Sequence, residues 1–466
     1  MTADSGPDAA ADRAPFLSLR ALWSGRTGLL TAGLISIMTL TAFEAVSVAT
    51  AMPAVASGLG ILGDYTWAFT AYTVASLLAM VGAGLWSDAA GPRGPIIAGT
   101  LLFAGGSIIA GLAQGLPELI AGRALEGVGG GALIVAVYVI IARGYEEALR
   151  PKAFSMLAAA WVTPSLVGPL IAGWLTQAFS WRLIFLLVPV LVIPPFLVLV
   201  PRLHEYQGGT PQRGWRERLG AGVLATVALF ALQDGALRLS WWGVVEMAVA
   251  LVALAYALRH LLPTRALRMA RGLPATVVMR GLAAAAYFSA EVFVPLALVQ
   301  IRGVSITYAG VVLSFSAVCW MLGSYAQSRL AAHHDRIPAV RIGFALVVLC
   351  IATLPIALQS WAPPWIASIS WGIGALGMGL AVPSVSVQVF RLSPDEDHGR
   401  NSAALQIMDA VSVSAVVAIL GMGYAAAARG TGATAGTFIS LWLASAAIGL
   451  VGLLVAGRMR PRDAAA

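Results

Sequence analysis

The chain has 466 residues, of which 59% are apolar and only 11% charged, with a formal net charge of +8 and a mean hydropathy of +0.85. Soluble domains carry about 25% charged residues, so the composition excludes a water-soluble enzyme or binding module and makes lipid the main solvent. A backbone in lipid must satisfy its own hydrogen bonds, and the long unbroken apolar runs select helices over the short alternating strands of a barrel.

In chain order, residues 1–27 read as a polar, cytoplasmic N-terminal tail without a cleavage pattern. Six apolar runs follow at 28–54, 65–87, 94–114, 117–142, 150–178 and 181–201, giving an N-terminal six-helix bundle over 28–201. The segment 202–218, rich in Gly, Pro and Arg, is a linker. Two further spans, 219–238 and 240–262, lie within 202–274 and leave a minimal turn at Arg238. Arg265, Arg268 and Arg271 then suggest a short amphipathic helix at the membrane surface. Spans at 275–301, 306–328, 337–359, 364–390, 400–426 and 434–457 form a C-terminal bundle over 275–457, with a cytoplasmic tail at 458–466.

Fourteen spans put both ends on one side. Lys and Arg collect in cytoplasmic loops, and 24 of the 29 basic residues fall in the segments on that side. Arg182, Arg238, Arg302 and Arg429 occupy outer turns, and Arg123 lies inside a span. The expectation is a multi-pass protein of the inner (plasma) membrane, a monomer with both termini cytoplasmic. Its positive charge sets topology and needs no nucleic acid. The turn at 82–93 (GAGLWSDAAGPR) is echoed at 323–336 (GSYAQSRLAAHHDR), as in a transporter built from repeats with its substrate site between the halves.

Four motifs carry a family resemblance. Phe43 through Pro53 (FEAVSVATAMP), Gly84 through Arg93, Arg123 through Gly131 (RALEGVGGG) and Gly168 through Gly173 (GPLIAG) occur in order in spans one, two to three, four and five. Together they resemble the fourteen-helix drug:proton antiporters of the major facilitator superfamily. Ala89 and Pro92 stand where that family has basic residues, Glu44 where it has Asp, and Glu126 where Gln is common. The resemblance implies an all-α membrane fold of two six-helix bundles with two extra helices between them. It also implies proton-coupled efflux of small hydrophobic or cationic compounds, such as drugs or secondary metabolites. The proton gradient then supplies the energy, without a cofactor. An exporter of a lipid or siderophore-like compound, a nutrient importer, and a non-transport membrane receptor or enzyme are the alternatives.

The family motifs assign gating to Gly84, Asp88, Gly91 and Arg93. Asp88 at a helix end can accept from helix N-terminal amides or pair with arginine, and so act as a two-state latch. The bland reading is a loop marker. Pro164, Gly168, Pro169 and Gly173 form the antiporter motif. Proline bends the helix and small residues permit close approach, so a packing seam is its simplest role.

Charges inside apolar runs cost about 2.5–3.5 kcal/mol each and must face a cavity or a partner. Glu44, Arg123, Glu126, Glu291 and Asp409 meet that test, as candidates for proton coupling or substrate binding. Glu44 and Glu126 fall at a shared depth, and Arg123 can pair with Glu126 at i, i+3. Glu291 sits near the centre of the ninth span, where Tyr287, Phe288 and Phe293 suit a cavity for flat cations. Asp409 can pair with Gln406, and Asp234 and Glu246 read as solvated charges. His333, His334 and Asp335 lack the ligand spacing of a metal site, no phosphate-binding loop is present, and no catalytic constellation is visible.

Overall fold

The computed structural model describes residues 22–23, 25–146, 149–205, 214–330, 335–394 and 398–461. Most of the N-terminal tail, the middle of the 202–218 linker, His333, His334 and the last five residues lie outside them.

Among the described residues, 14 segments are long and apolar enough to cross a membrane. The first six are α1 (Gly25–Gly58), α2 (Trp67–Ala90), α3 (Arg93–Leu112), α4 (Leu116–Gly144), α5 (Arg150–Ala178) and α6 (Arg182–Leu199). The extra pair is α7 (Trp215–Leu237) and α8 (Trp241–Leu261). The second six comprise α9 (Leu273–Glu291) with its continuation α10 (Val294–Arg302), α11 (Ile306–Leu330), α12 (Ile337–Thr353), α13 (Ile366–Leu392), α14 (His398–Arg429) and α15 (Ala435–Val455). Successive crossings put the start of α1 and the end of α15 on one side, here called the terminal face.

The two sets of six pack alike. In the first, α1 lies against α5 and α6, α4 is flanked by α2 and α3, and α3 touches α6. In the second, α9 lies against α14 and α15, α13 is flanked by α11 and α12, and α12 touches α15. Such repetition is the mark of a repeat-built transporter. Between the halves α5 runs along α11, while α2 meets α14 and α7 packs against both of these. The outer helix α8 leaves Trp241, Trp242, Val244, Val249, Val252 and Tyr256 exposed. In a bilayer such a surface meets acyl chains, so its exposure carries no penalty.

Helix α4 is the keystone of the first bundle because it has almost no side chains on two faces. A Cβ at Gly127 or Gly131 would strike the Tyr72 or Ser76 carbonyl of α2, and one at Gly122 or Gly129 the backbone of α3 at Ala110 or Phe103. Glycine lets three backbones approach closely in a medium with no hydrophobic drive between helices.

The ninth span crosses over Leu273–Arg302, and its helix breaks between Glu291 and Val294. Pro295 has no N–H for the Glu291 carbonyl, and its ring clashes with that carbonyl. The basic stretch at 265–271 is not an amphipathic helix but a 3₁₀ turn, Ala266–Arg268, bounded by Arg265 and Met269 in left-handed conformation. A run this short cannot meet the cost of helix nucleation. The Gly272 amide instead donates to the Arg458 carbonyl at 2.9 Å, tying the turn to the end of α15.

Candidate functional site

The charges of the first bundle converge on one residue. Arg123, on α4, donates through Nη1 to Glu44 Oε1 on α1 and to Glu126 Oε2 one turn along α4, the latter at 2.7 Å. Its Nε donates to the Ala68 carbonyl of α2 at 3.1 Å, and its guanidinium lies over the Tyr72 ring, 4.5 Å from the centroid. Glu44 and Glu126 are 0% exposed and Arg123 is 3% exposed. The depth shared by the two acids is therefore real, and the i, i+3 pair forms. Two carboxylates share one guanidinium, so with both ionised the cluster carries one uncompensated negative charge. Glu44 Oε2 and Glu126 Oε1 are buried without a hydrogen-bond partner among the described residues.

Glu291 is placed differently. It ends α9 at the Pro295 break, is half-buried, and faces no cation among the described residues. Its neighbour Tyr287 stacks on Trp371 at 4.4 Å, and Phe288 stacks on Trp320 at 6.0 Å. Trp320 and Trp371 were not singled out from the sequence, since a tryptophan in an apolar run looks the same whether it faces lipid or a site. Of the three expected cavity aromatics, Tyr287 and Phe293 are buried and Phe288 keeps exposed surface.

Two carbonyls beside the break take side-chain donors: that of Val292 accepts from Tyr65 at 3.0 Å, and that of Ala290, which already accepts the Phe293 amide at 3.1 Å, also accepts from Trp442 Nε1 at 3.4 Å. Phe293 joins Tyr65 and Tyr424 in a cluster with centroids 5.8 to 6.3 Å apart. Above it, Arg429 of α14 donates to Asp64 and to the Leu237 carbonyl, both at 2.5 Å. Residues from both halves thus close the face opposite the termini.

Asp409 pairs not with Gln406 but with Arg280 of α9, which donates from Nε to both carboxylate oxygens at 2.8 and 2.9 Å and from Nη2 at 2.7 Å. Arg280 is one of the basic residues assigned above to cytoplasmic segments, and it lies about two turns inside α9. Gln406 instead lines a cavity of 720 Å³. This cavity is walled by α2, α4, α7, α8 and α14, through Met80, Ile134, Arg218, Leu261 and Arg400 among others, and opens towards the terminal face.

At the mouth of this cavity, Gly84 and Asp88 lie on its wall. Asp88 pairs with Arg143, at the end of α4, at 3.1 Å rather than with Arg93. Arg93 is exposed and forms no ion pair with a described residue. Gly91 has φ +84°, a conformation that favours glycine and turns the chain sharply into α3. The helix-five motif lies at a junction: a Cβ at Gly168 would meet Val46 of α1, while Gly173 meets Thr307 and Pro169 meets Gly310, both on α11. Pro164 is buried one turn earlier in α5. Asp234 and Glu246 keep exposed surface, as solvated charges do, and both pair with Arg238, at 2.5 and 3.3 Å.

Comparison with known proteins agrees with this architecture. The sequence profile described as Major Facilitator Superfamily matches residues 29–417. An uncharacterized MFS-type transporter of Mycobacterium tuberculosis is 26% identical over 387 residues, covering 80% of this chain and 56% of that protein. The chain thus spans little more than half the length of that relative. The multidrug transporter protein MdtP of Bacillus subtilis is 26% identical over 416 residues, covering 85% of this chain and 75% of its own. Multidrug resistance protein 3 of the same organism is 24% identical over 362 residues, with 75% and 71% covered. Among solved structures, a POT family transporter in complex with 5-aminolevulinic acid superposes with a TM-score of 0.71 at 15% identity, over 94% of this chain and 98% of that one. At that identity the likeness establishes the fold alone.

Proposed function

The chain belongs to the Major Facilitator Superfamily, and from that premise we propose that this membrane transporter exports small hydrophobic or cationic compounds in exchange for protons. The observation that carries the reading is the cluster in which Glu44 and Glu126 compete for Arg123. An uncompensated charge in so dry a site is costly, and a bound proton removes it. A proton that enters when the site is open to one side and leaves when it opens to the other drives the exchange. Glu291, without a cation opposite it among the described residues and flanked by aromatic rings, suits a substrate's positive charge. The multidrug relatives favour the same substrate class.

Orientation belongs to this reading. The terminal face carries most of the basic loop residues and is the cytoplasmic one, so both termini lie inside the cell and the protein works in the plasma membrane. The four arginines on the other face have local uses. Arg182 donates to the Gly111 and Ala113 carbonyls, Arg302 to those of Gln359 and Ala362, and Arg238 and Arg429 pair with acids. The described state then opens inward. The protein acts as a monomer, with the proton gradient as its energy source and no cofactor.

The test is purified protein in liposomes under an imposed pH gradient, with tetraphenylphosphonium as substrate. Wild type moves the cation against its gradient. Glu44→Gln and Glu126→Gln each remove the pH-driven component, while exchange of labelled for unlabelled cation persists. Undiminished pH-driven movement in both variants would falsify the assignment of the proton site.

A further inference from the structure

Among the described residues, the wall of the cavity includes none of Glu44, Arg123, Glu126, Arg280, Glu291 and Asp409. The cavity is a separate wedge between the halves. Near the face opposite the termini, α2 and α14 meet so closely that a Cβ at Gly421 would strike Thr66, at the start of α2. Towards the terminal face they part, and the cavity fills the gap from Met80 and Ile407 to Asp88 and Arg400. The extra pair covers it: α7 sets Gly222 against Val81 of α2, and Arg218 of α7 and Leu261 of α8 lie on the wall. The depth of the wedge is apolar, through Met80, Val81, Ile134, Val135 and Ile407. Its mouth is charged. Arg218 and Arg400 lie on the wall there, and Asp88, the one acid among the described lining residues, already pairs with Arg143. A guanidinium carries five N–H donors, so bonds within the protein still leave donors for a ligand.

We propose that this wedge binds an anionic membrane amphiphile, its phosphate or carboxylate head on Arg218 and Arg400 and its chain along the apolar walls, and that the bound molecule holds the terminal face open. Headgroups lie level with helix ends, where both arginines sit, and guanidinium is the side chain best shaped for such oxyanions. A small anion would leave the apolar depth unfilled, and a neutral amphiphile would make no use of the arginines. The two arginines belong to separate halves. Arg218 is on α7, which Gln233 ties to Thr66 and Thr70 beside the first half, and Arg400 is on α14 of the second. Closing the terminal face brings α2 and α14 together and collapses the wedge, so the ligand fits one state and shifts the balance towards it. That hold rests on reading the chain as a transporter that alternates between its faces, whereas binding itself does not.

The test places Ala403→Cys, an exposed position on the wall, in a background with Cys319 and Cys350 replaced by Ala, in phosphatidylcholine nanodiscs. Dodecyl phosphate should slow labelling by N-ethylmaleimide saturably, roughly tenfold at about ten times its Kd. 1-Dodecanol, with the same chain, and inorganic phosphate, with the same head, should protect far less. Arg218→Gln/Arg400→Gln should abolish the protection. Equal protection by dodecanol overturns the oxyanion head, and equal protection by inorganic phosphate overturns the amphiphile. No protection by dodecyl phosphate, or undiminished protection in a correctly eluting double variant, overturns the site. If that variant does not elute as the parent does, the comparison of the three ligands decides alone. The hold is read at Phe293→Cys, buried near the opposite face, in the same background. Bound dodecyl phosphate should slow its labelling by an impermeant maleimide added on that face, and unchanged or faster labelling defeats the hold. Neither readout uses proton or cation movement, so loss of pH-driven export with both protections intact would count against the exchange reading alone.

Discussion

Arg123 and Arg280 show why single charges matter in this fold. Removing one partner of a buried ion pair strands the other and costs about 3–5 kcal/mol. Arg123→Leu strands two, Glu44 and Glu126, so it should lower thermal stability by at least that much, read from the melting temperature of the purified protein. The triple variant Glu44→Gln/Arg123→Met/Glu126→Gln should melt near wild type yet carry no proton. Equal melting of the single and triple variants would refute the shared-charge account. Much of this cluster was legible in the sequence, because a charge in an apolar run is conspicuous and Arg123–Glu126 is a local spacing. The partners that were missed are distant in sequence. Asp88 finds Arg143 on another helix, and Arg280, close to a basic loop, was indistinguishable from the loop charges that set topology.

At the scale of the element, the break in the ninth span is the feature that hydropathy could not reveal. Apolar content fixed where that span begins and ends, but lipid rewards a continuous and a broken helix alike when freed carbonyls find partners. Tyr65 supplies such a partner, from elsewhere in the fold, to the Val292 carbonyl inside the break. Pro295→Ala restores an N–H for the Glu291 carbonyl and lets the helix run on. The expected outcome is a higher melting temperature with slower cation export, since Glu291 would then turn with a straight helix. Faster export at unchanged stability would contradict the role given to the break. Helix α4 makes the converse point. Its glycines were visible as a close-contact face, and Gly127→Val should cost about 1–3 kcal/mol or more, because the Tyr72 carbonyl that it meets is backbone and cannot swing away. Retained stability in that variant, read by the same melting assay, would mean that α2 and α4 are less tightly held than their spacing implies.

For the whole molecule, the question is what holds one face shut while the other is open. The halves are joined on one flank by α5 against α11, where Gly173 and Gly310 let the backbones touch, and this contact can serve as a pivot. On the other flank, α7 travels with the first half: buried Gln233 donates to Thr66 Oγ1 at 2.7 Å and accepts from Thr70 Oγ1 at 2.8 Å. Arg429 of the second half then reaches both Asp64 and the carbonyl at the end of α7. The extra helices are therefore part of the closure rather than an appendage, and their removal would strip Arg429 of one of its partners. Because this pair is partly exposed, the salt bridge itself is worth only about 0.2–1 kcal/mol. Arg429→Ala should consequently shift the balance between states by a few-fold without unfolding the protein. A Phe293→Cys reporter, in a background with Cys319 and Cys350 replaced by Ala, reads that shift, since Phe293 lies buried beneath the closure. An impermeant maleimide added on the Arg429 side should label the reporter faster in Arg429→Ala. Gln233→Leu should do the same by loosening α7 from α2. Combining the two should add little, because both act on one tie. Full additivity would mean that α7 and Arg429 stabilise the closed face independently, and the extra pair would then act on the gate by a tie other than Arg429.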